Sequence, residues 1–319
     1  MTDEKRKSTI PVIDLSSTNH AALIDQIGAA CREFGFFGVI NHGIAPEVIT
    51  QAFKASKMFF DLPQENKLSL HINKSPTHRG FDPIGWQSLD LSKEGDVQAA
   101  DLKESFYIGT EAQANANPPV PNHGPNQWPP TSWVSGFEQH INNYRVQAKQ
   151  LAYRLIGLIA QSLGMQSDAL NAYARYPTCT TRLLHYPPQP ASNTEQIGSG
   201  EHTDWGAVTV LTQDDAGGLE VRLADGSWVD VTPQEGMLVI NTGDLMQRWT
   251  NDIYRSSWHR VINKHAGRAR YSIAYFFDLD HFAEIKTLPA CIDAEHPAKY
   301  LPITAGDHIL DMYRRTTLS

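Results

Sequence analysis

Residues 200–221 read GEHTDWGAVTVLTQDDAGGLEV, and this stretch combines a potential metal-ligand triplet with two short strands. AVTVLT and LEV are rich in β-branched residues, and the turn-forming residues DDAGG separate them. The triplet HTD, just before AVTVLT, is itself predicted to lie in a strand. Because residues two apart in an extended chain project to the same side, His202 and Asp204 are predicted to reach one ion while Thr203 points away.

The same alternation of short strands and turns continues along the C-terminal half of the chain. The strand candidates are TRLLHY, AVTVLT, LEVRL, SWVDV, MLVIN, RVIN and RYSIAYFF. Their spacing predicts a double-sheet jelly roll of the cupin type, a double-stranded β-helix, and not a parallel α/β fold. We therefore expect a mainly β protein with helical decoration (α+β).

The N-terminal half is predicted to be more helical. Apolar residues recur at helical spacing from Leu23 to Phe34, a second helix should run from Pro46 to about Phe59, and a long scaffold helix from Trp133 to Gly164. Between Leu68 and Pro130 the chain is rich in Pro, Gly, Asn and Ser, and only ESFYIG indicates a strand. We expect a long surface excursion there.

Composition excludes several classes of protein. The chain has 319 residues and a net charge of -8, which argues against binding to a phosphate backbone and so against a nucleic-acid partner. The three cysteines are scattered, so neither disulfides nor a zinc site is indicated. With no export signal and no apolar run of about 20 residues, we expect a cytoplasmic protein that binds no membrane. We expect it to be a monomer or a weak homo-oligomer.

His259 supplies the third ligand that would complete a metal site. An antiparallel partner strand can bring it back towards His202 and Asp204, and two imidazoles with one carboxylate suit Fe(II) while leaving positions open for oxygen chemistry. A simpler interpretation exists, because the chain has 13 His and a triplet of this form can occur in any loop. In that case His202 and Asp204 are loop residues and His259 is a buried strand histidine.

A candidate anion clamp lies in the strand RYSIAYFF. Arg270 and Ser272 share one face and offer a guanidinium fork and a hydroxyl to a carboxylate, unless the arginine pairs with a protein Asp or Glu. Tyr186 could donate to the same anion. Phe276 shares this face and Trp205 adjoins a ligand, so both could line a substrate cavity, although core packing explains either of them equally well.

Other polar residues have simpler interpretations. NHG, residues 41–43, is predicted to be a strand-ending turn, and Asn241 and Asp244 in NTGD are predicted to be structural. Three arginines could receive an acidic substrate, but we expect them to be solvated at the surface. These are Arg79, Arg248 and Arg255.

Together these segments resemble the plant-type iron(II)- and 2-oxoglutarate-dependent dioxygenases, the family that includes isopenicillin N synthase. The resemblance runs in chain order through IPVIDLS, CREFGFFGVINHGI, FFDLPQENK, DLKESFYIG, LLHYPPQP, GEHTDWGAVTVLTQDDAGGLEV, VINTGDLMQRWTND, YRSSWHRV and RYSIAYFF. It implies one unit with two regions. Residues 1–130 form the N-terminal non-haem dioxygenase region, and residues 131–319 form the helix and the jelly-roll oxygenase domain.

The resemblance also implies residue roles. His202, Asp204 and His259 would bind Fe(II), and Arg270 with Ser272 would hold the distal carboxylate of 2-oxoglutarate. Tyr186 matches a tyrosine near the co-substrate, whereas Leu184 replaces an asparagine that many plant members have. Phe276 falls where some members stack an aromatic substrate, and Trp205 is a further candidate at the same cavity.

The implied reaction consumes O2 and 2-oxoglutarate, releases succinate and CO2, and oxidises a small molecule, most simply by hydroxylation, with ascorbate as a candidate reductant. Two alternatives remain open from sequence. The first is an oxidase of the isopenicillin N synthase type, which uses the same triad without 2-oxoglutarate. The second is a non-catalytic binding module on the same fold.

Overall fold

The computed structural model describes residues 9–86, 101–112, 118–188, 198–262 and 267–316. The strands are β1 (Val12–Asp14), β2 (Phe36–Ile40), β3 (Gly80–Asp82), β4 (Glu104–Gly109), β5 (Cys179–Tyr186), β6 (Ser199–His202), β7 (Val208–Gln213), β8 (Leu219–Arg222), β9 (Trp228–Asp230), β10 (Leu238–Thr242), β11 (His259–Val261), β12 (Arg270–Phe277), β13 (Glu284–Ile285) and β14 (Ile303–Thr304). The helices are α1 (His20–Glu33), α2 (Pro46–Phe60), α3 (Gln64–Ser69), α4 (Phe137–Ser162), α5 (Asp244–Trp249) and α6 (Ala305–Thr316).

Two sheets form the jelly roll that the strand spacing predicts. The major sheet has the order β1-β2-β10-β7-β12-β5-β4-β3, and the minor sheet has the order β6-β11-β8-β9. Apolar side chains from both sheets, including Val239 and Ala274 from the major and Val221 and Val261 from the minor, share one buried cluster. The sheets therefore face each other around this interior, as the expected fold class requires.

The other face of the major sheet packs against the helices. Along β12, Ile273, Tyr275 and Phe277 belong to the helix-side core, because alternate residues of a strand point to opposite faces. On the same side, the Tyr144 hydroxyl of α4 lies 2.7 Å from the Thr212 hydroxyl of β7. The predicted long scaffold helix is confirmed. Because alternate β12 side chains face the helices, the remaining β12 side chains point towards the barrel interior.

Local signals account for the N-terminal helices. The Asn19 side chain accepts a hydrogen bond from the backbone N–H of Ala22 and so caps α1. Gly35 follows the helix with φ of +63°, and a Cβ there would lie 2.4 Å from the Arg255 carbonyl oxygen, so only glycine fits. Asn41 (φ 52°) and Gly43 (φ 89°) form the predicted turn after β2.

The segment from Leu68 to Pro130 has more structure than expected. β3 pairs with β4 and extends the major sheet at its edge, although GFD is too short to signal a strand by alternation. Arg79 is only 3% exposed, and its buried guanidinium donates to the backbone carbonyls of Thr77 and Asn122. The expectation that Arg79 is solvated at the surface is therefore wrong. Residues 87–100 and 113–117 of the excursion lie outside the described residues.

Candidate metal and co-substrate site

Strand pairing brings the two histidines of the predicted triad together. His202 ends β6 and lies directly opposite His259, which begins β11, with ring centroids 4.2 Å apart. Asp204 follows β6, so the triplet is only partly in a strand, contrary to the expectation that a strand carries it. His259 Nε2 nevertheless lies 3.7 Å from Asp204 Oδ1, and potential ligand atoms of all three side chains lie within 4.8 Å of one another.

Backbone carbonyls orient both imidazoles. His202 Nδ1 donates to the Gly200 carbonyl at 2.7 Å, and His259 Nδ1 donates to the Ser257 carbonyl at 3.2 Å. Because a carbonyl only accepts, both Nδ1 atoms carry protons, so Nε2 is the nitrogen of each ring that is left to bind a metal. Desolvation, and then the neighbouring His259, hold the pKa of His202 well below its usual value. Neutral imidazoles are the form that metals bind.

Two neutral donors orient the carboxylate of Asp204. Its Oδ2 accepts from the Thr209 hydroxyl at 2.6 Å and from the Asn241 amide at 2.6 Å, while Oδ1 faces the histidines. Thr203 points away, as predicted, and donates to Asp244 at 3.0 Å. Sequence reasoning missed the contacts that Thr209 and Asn241 make with this carboxylate. They depend on the register that sets Thr209 opposite Asn241 in neighbouring strands.

Arg270 is buried among neutral partners. It is 1% exposed, and its guanidinium donates to the Gly217 carbonyl at 2.8 Å, to Ser272 Oγ at 3.1 Å and to Gln213 Oε1 at 3.1 Å. The ion pairs found among the described residues do not include Arg270. The guanidinium carbon also lies 4.8 Å from the centroid of the Tyr186 ring. A buried cation with only neutral partners is suited to bind an anion.

Two of the remaining predicted site residues, Tyr186 and Phe276, lie at this interior. Burial raises the pKa of Tyr186 and keeps its phenol protonated, so it can donate a hydrogen bond. Phe276 is half-buried on the same face of β12 as Arg270 and packs against the interior cluster. Trp205 is also half-buried, and its carbonyl lies 2.9 Å from His308 Nε2 of α6. Phe276 therefore faces the barrel interior, whereas the contact found for Trp205 is with α6.

The fold and this geometry agree with comparisons to known proteins. Residues 10–131 match the family model described as non-haem dioxygenase in morphine synthesis N-terminal, and residues 173–279 match that of the 2OG-Fe(II) oxygenase superfamily. The 2-oxoglutarate-Fe(II) type oxidoreductase hxnY of Emericella nidulans is 37% identical over 319 residues, which cover 96% of this chain and 90% of that protein. The chain belongs to the 2OG-Fe(II) oxygenase superfamily.

Further relatives support the same membership. The 2-oxoglutarate-dependent dioxygenase tropC of Talaromyces stipitatus is 35% identical, with 94% of this chain and 96% of that protein covered. Among solved structures, a full-length Neurospora crassa protein in complex with alpha-KG and thymine superposes with a TM-score of 0.86 at 31% identity, covering 98% of each chain. This 2OG-Fe(II) oxygenase is thus an enzyme that uses Fe(II), 2-oxoglutarate and O2, as its sequence predicted.

The helices that the structure describes lack the combination of length and apolar character that crossing a membrane requires.

Proposed function

We propose that His202, Asp204 and His259 bind the Fe(II) of this 2OG-Fe(II) oxygenase, and that Arg270 with Ser272 holds the distal carboxylate of 2-oxoglutarate. The convergence of two imidazole nitrogens and one carboxylate oxygen within 4.8 Å carries this proposal. This donor set occupies one face of an octahedral ion and leaves the other face open for ligands. The chain would then hydroxylate a small molecule.

Arg270 supports the co-substrate assignment. A buried guanidinium without a charged partner is costly, and a carboxylate between Arg270 and Ser272 would compensate that cost by a forked, charge-assisted contact. Gln213 and Gly217 already hold the guanidinium in place. Tyr186, paired opposite Arg270 in the sheet, is placed to donate a further hydrogen bond to the same anion.

The protein's contribution is to bind, orient and enclose the reactants. When bound, Fe(II) and 2-oxoglutarate supply the oxidising chemistry, in which O2 is consumed, succinate and CO2 are released, and one oxygen atom reaches the substrate. Thr209 and Asn241 fix Asp204 so that Oδ1 faces the ion. Phe276 and Trp205 are proposed to form apolar walls for the prime substrate.

Anaerobic titration of the Fe(II) enzyme with 2-oxoglutarate distinguishes this function from that of an oxidase. Chelation of iron by the keto acid is expected to produce a visible charge-transfer band, and aerobic turnover should then release succinate. The names of the relatives favour this outcome. An enzyme that binds Fe(II) without giving the band would instead support the oxidase, and failure to bind Fe(II) would support a non-catalytic binding module.

Replacing Thr209 by valine should weaken Fe(II) binding by about tenfold, since groups that orient metal ligands typically contribute that much to affinity. The change removes one donor to Asp204 Oδ2 and keeps the shape of the side chain. Thr212→Val is the matched control, because Thr212 lies on the same strand but bonds to Tyr144 on the helix side. Competition with a fluorescent metal chelator measures both, and equal Fe(II) affinities would contradict the role of Thr209.

We infer that residues 1–130 and 131–319 fold as one unit. β2 pairs with β10 and β4 pairs with β5, so strands from both regions share the major sheet. We also propose a cytoplasmic location, supported by three buried cysteines that form no disulfide.

Thymine in the Neurospora crassa complex indicates that a small polar ring is a reasonable first substrate to test.

A further inference from the structure

A polar patch faces the barrel interior at the β3–β4–β5 end of the major sheet. Asp82 lies opposite Ser105, and Tyr107 lies opposite Arg182, which in turn lies opposite Ala274. Directly opposed residues point to the same face, and Ala274 belongs to the interior cluster. We call Asp82, Ser105, Tyr107 and Arg182 the inner polar patch.

Contacts within the patch leave one acceptor unused. Arg182 Nη2 donates to Ser105 Oγ at 3.0 Å and lies 3.4 Å from Asp82 Oδ2, to which Ser105 Oγ donates at 3.1 Å. The Arg182 guanidinium carbon lies 4.6 Å from the centroid of the Tyr107 ring. Asp82 is 3% exposed, and within the described parts of the chain its Oδ1 has no hydrogen-bond partner. A buried carboxylate oxygen in this state can accept a hydrogen bond from a ligand.

The patch lies close to the candidate metal site. Lys103, two residues before Ser105, donates from its Nζ at 3.3 Å to Ser199 Oγ, on the strand that ends in His202. Its ion-pair partner Asp101 accepts a hydrogen bond at 2.9 Å from the backbone N–H of Gly200 on that same strand. The chain that leads into β4 and the patch therefore lies beside the strand that carries His202.

Among the described residues, the charges of this wall balance. Arg182 pairs with Asp82, and Lys103 pairs with Asp101, giving two cations and two carboxylates. A balanced wall gives no net attraction to an anion, in contrast to Arg270 with its neutral partners. It favours a neutral molecule that presents donors and acceptors of its own.

We propose that the inner polar patch binds the polar edge of the prime substrate, and that Asp82 Oδ1 accepts a hydrogen bond from an N–H of that molecule. The substrate class is a small uncharged ring that carries a cyclic amide, with its N–H on Asp82. This proposal rests on the proposed function, because it requires the substrate to lie beside the iron and 2-oxoglutarate.

Binding of matched probes to the anaerobic enzyme loaded with Fe(II) and 2-oxoglutarate tests the proposal. The probes are thymine, uracil and 2-pyridone, each compared with its fully N-methylated counterpart by calorimetry. At least one N–H probe should bind, and its methylated form should bind at least about tenfold more weakly, as expected for loss of a hydrogen bond to a charged group. If none of the N–H probes binds, or if methylation has no effect, the proposal is wrong.

Asp82→Asn should lower the affinity for the bound N–H probe at least about tenfold and leave the methylated form unaffected. Glu104→Gln is the matched control. Glu104 is also a buried carboxylate on this sheet, but it faces the helix side, where it pairs with Lys67 at 2.8 Å and His185 at 2.7 Å. The control should keep wild-type probe affinity, and unchanged affinity in Asp82→Asn would overturn the proposal.

A second variant and a separate signal keep the result interpretable. If Asp82→Asn does not fold, Asp82→Glu keeps the charge but moves the carboxylate by one methylene, and the same loss of N–H probe affinity is expected. The charge-transfer band of 2-oxoglutarate forms without any probe. An intact band with failed probe binding therefore overturns only the role of the patch, whereas absence of the band overturns the proposed function.

Discussion

Replacing His202 by alanine is expected to lower 2-oxoglutarate turnover by about 1000-fold or more, which corresponds to roughly 4 kcal/mol. Two protein ligands, Asp204 and His259, would remain, and the part of the chain that the structure describes offers no further metal-binding group of three residues that includes them. Two ligands hold Fe(II) weakly and no longer define one face of the ion. Succinate formation and Fe(II) retention after gel filtration measure the effect together.

His185→Ala is the control for loss of a histidine from the same barrel. His185 lies on β5, where it stacks on Tyr271 with ring centroids 4.6 Å apart and hydrogen-bonds to Glu104. Its removal should reduce stability while Fe(II) binding is kept. Should His202→Ala retain wild-type turnover and iron, the assignment of the metal ligands would be incorrect.

Replacing Arg270 by alanine is expected to weaken 2-oxoglutarate binding by about 100- to 1000-fold, because truncating one partner of a buried charge pair costs several kcal/mol. Fe(II) affinity should change little, since Arg270 is not among the predicted metal ligands. Arg270→Lys keeps the charge but loses the fork, so its effect should be intermediate. Titration of the charge-transfer band measures the affinity for 2-oxoglutarate in each variant.

Arg268→Ala is the matched control for this second prediction. Arg268 lies just before β12, and its half-exposed side chain pairs with the exposed Asp215. Exposed pairs of this kind contribute little, so 2-oxoglutarate affinity should stay at the wild-type value. Wild-type affinity in Arg270→Ala would show that the co-substrate binds elsewhere.

Much of the fold follows from local patterns in the sequence. The helices α1, α2 and α4 are long enough for their apolar periodicity to be read, and Asn19, Gly35 and Pro46 mark their ends. The short elements α3 and β3 were missed, because fewer than two helical turns, or three strand residues, carry too little periodicity. Asp204 likewise lies outside β6, since the chain leaves the sheet after His202.

The candidate site, too, could be predicted from the sequence only in part. His202, Asp204 and His259 could be nominated from residue type and spacing, and Arg270 with Ser272 from the two-residue period of one strand. The orientation of Asp204 by Thr209 and Asn241 could not be read, although both residues stand in predicted strands. Which strand lies beside which, and in what register, depends on contacts distant in sequence.

The order of the residues alone determined the ligand types and the strand faces, because these properties are encoded within a few neighbouring positions. It also determined membership of an oxygen-using iron enzyme family, through segments that occur in a fixed order along most of the chain. Only the tertiary structure decided that Arg270 has neutral partners and that Asp82 and Arg182 face the same interior. Strands β3, β4, β5 and β12 meet in one sheet although long stretches of chain separate most of them. Burial and partnership of a charge are properties of that assembly, so no local pattern could supply them.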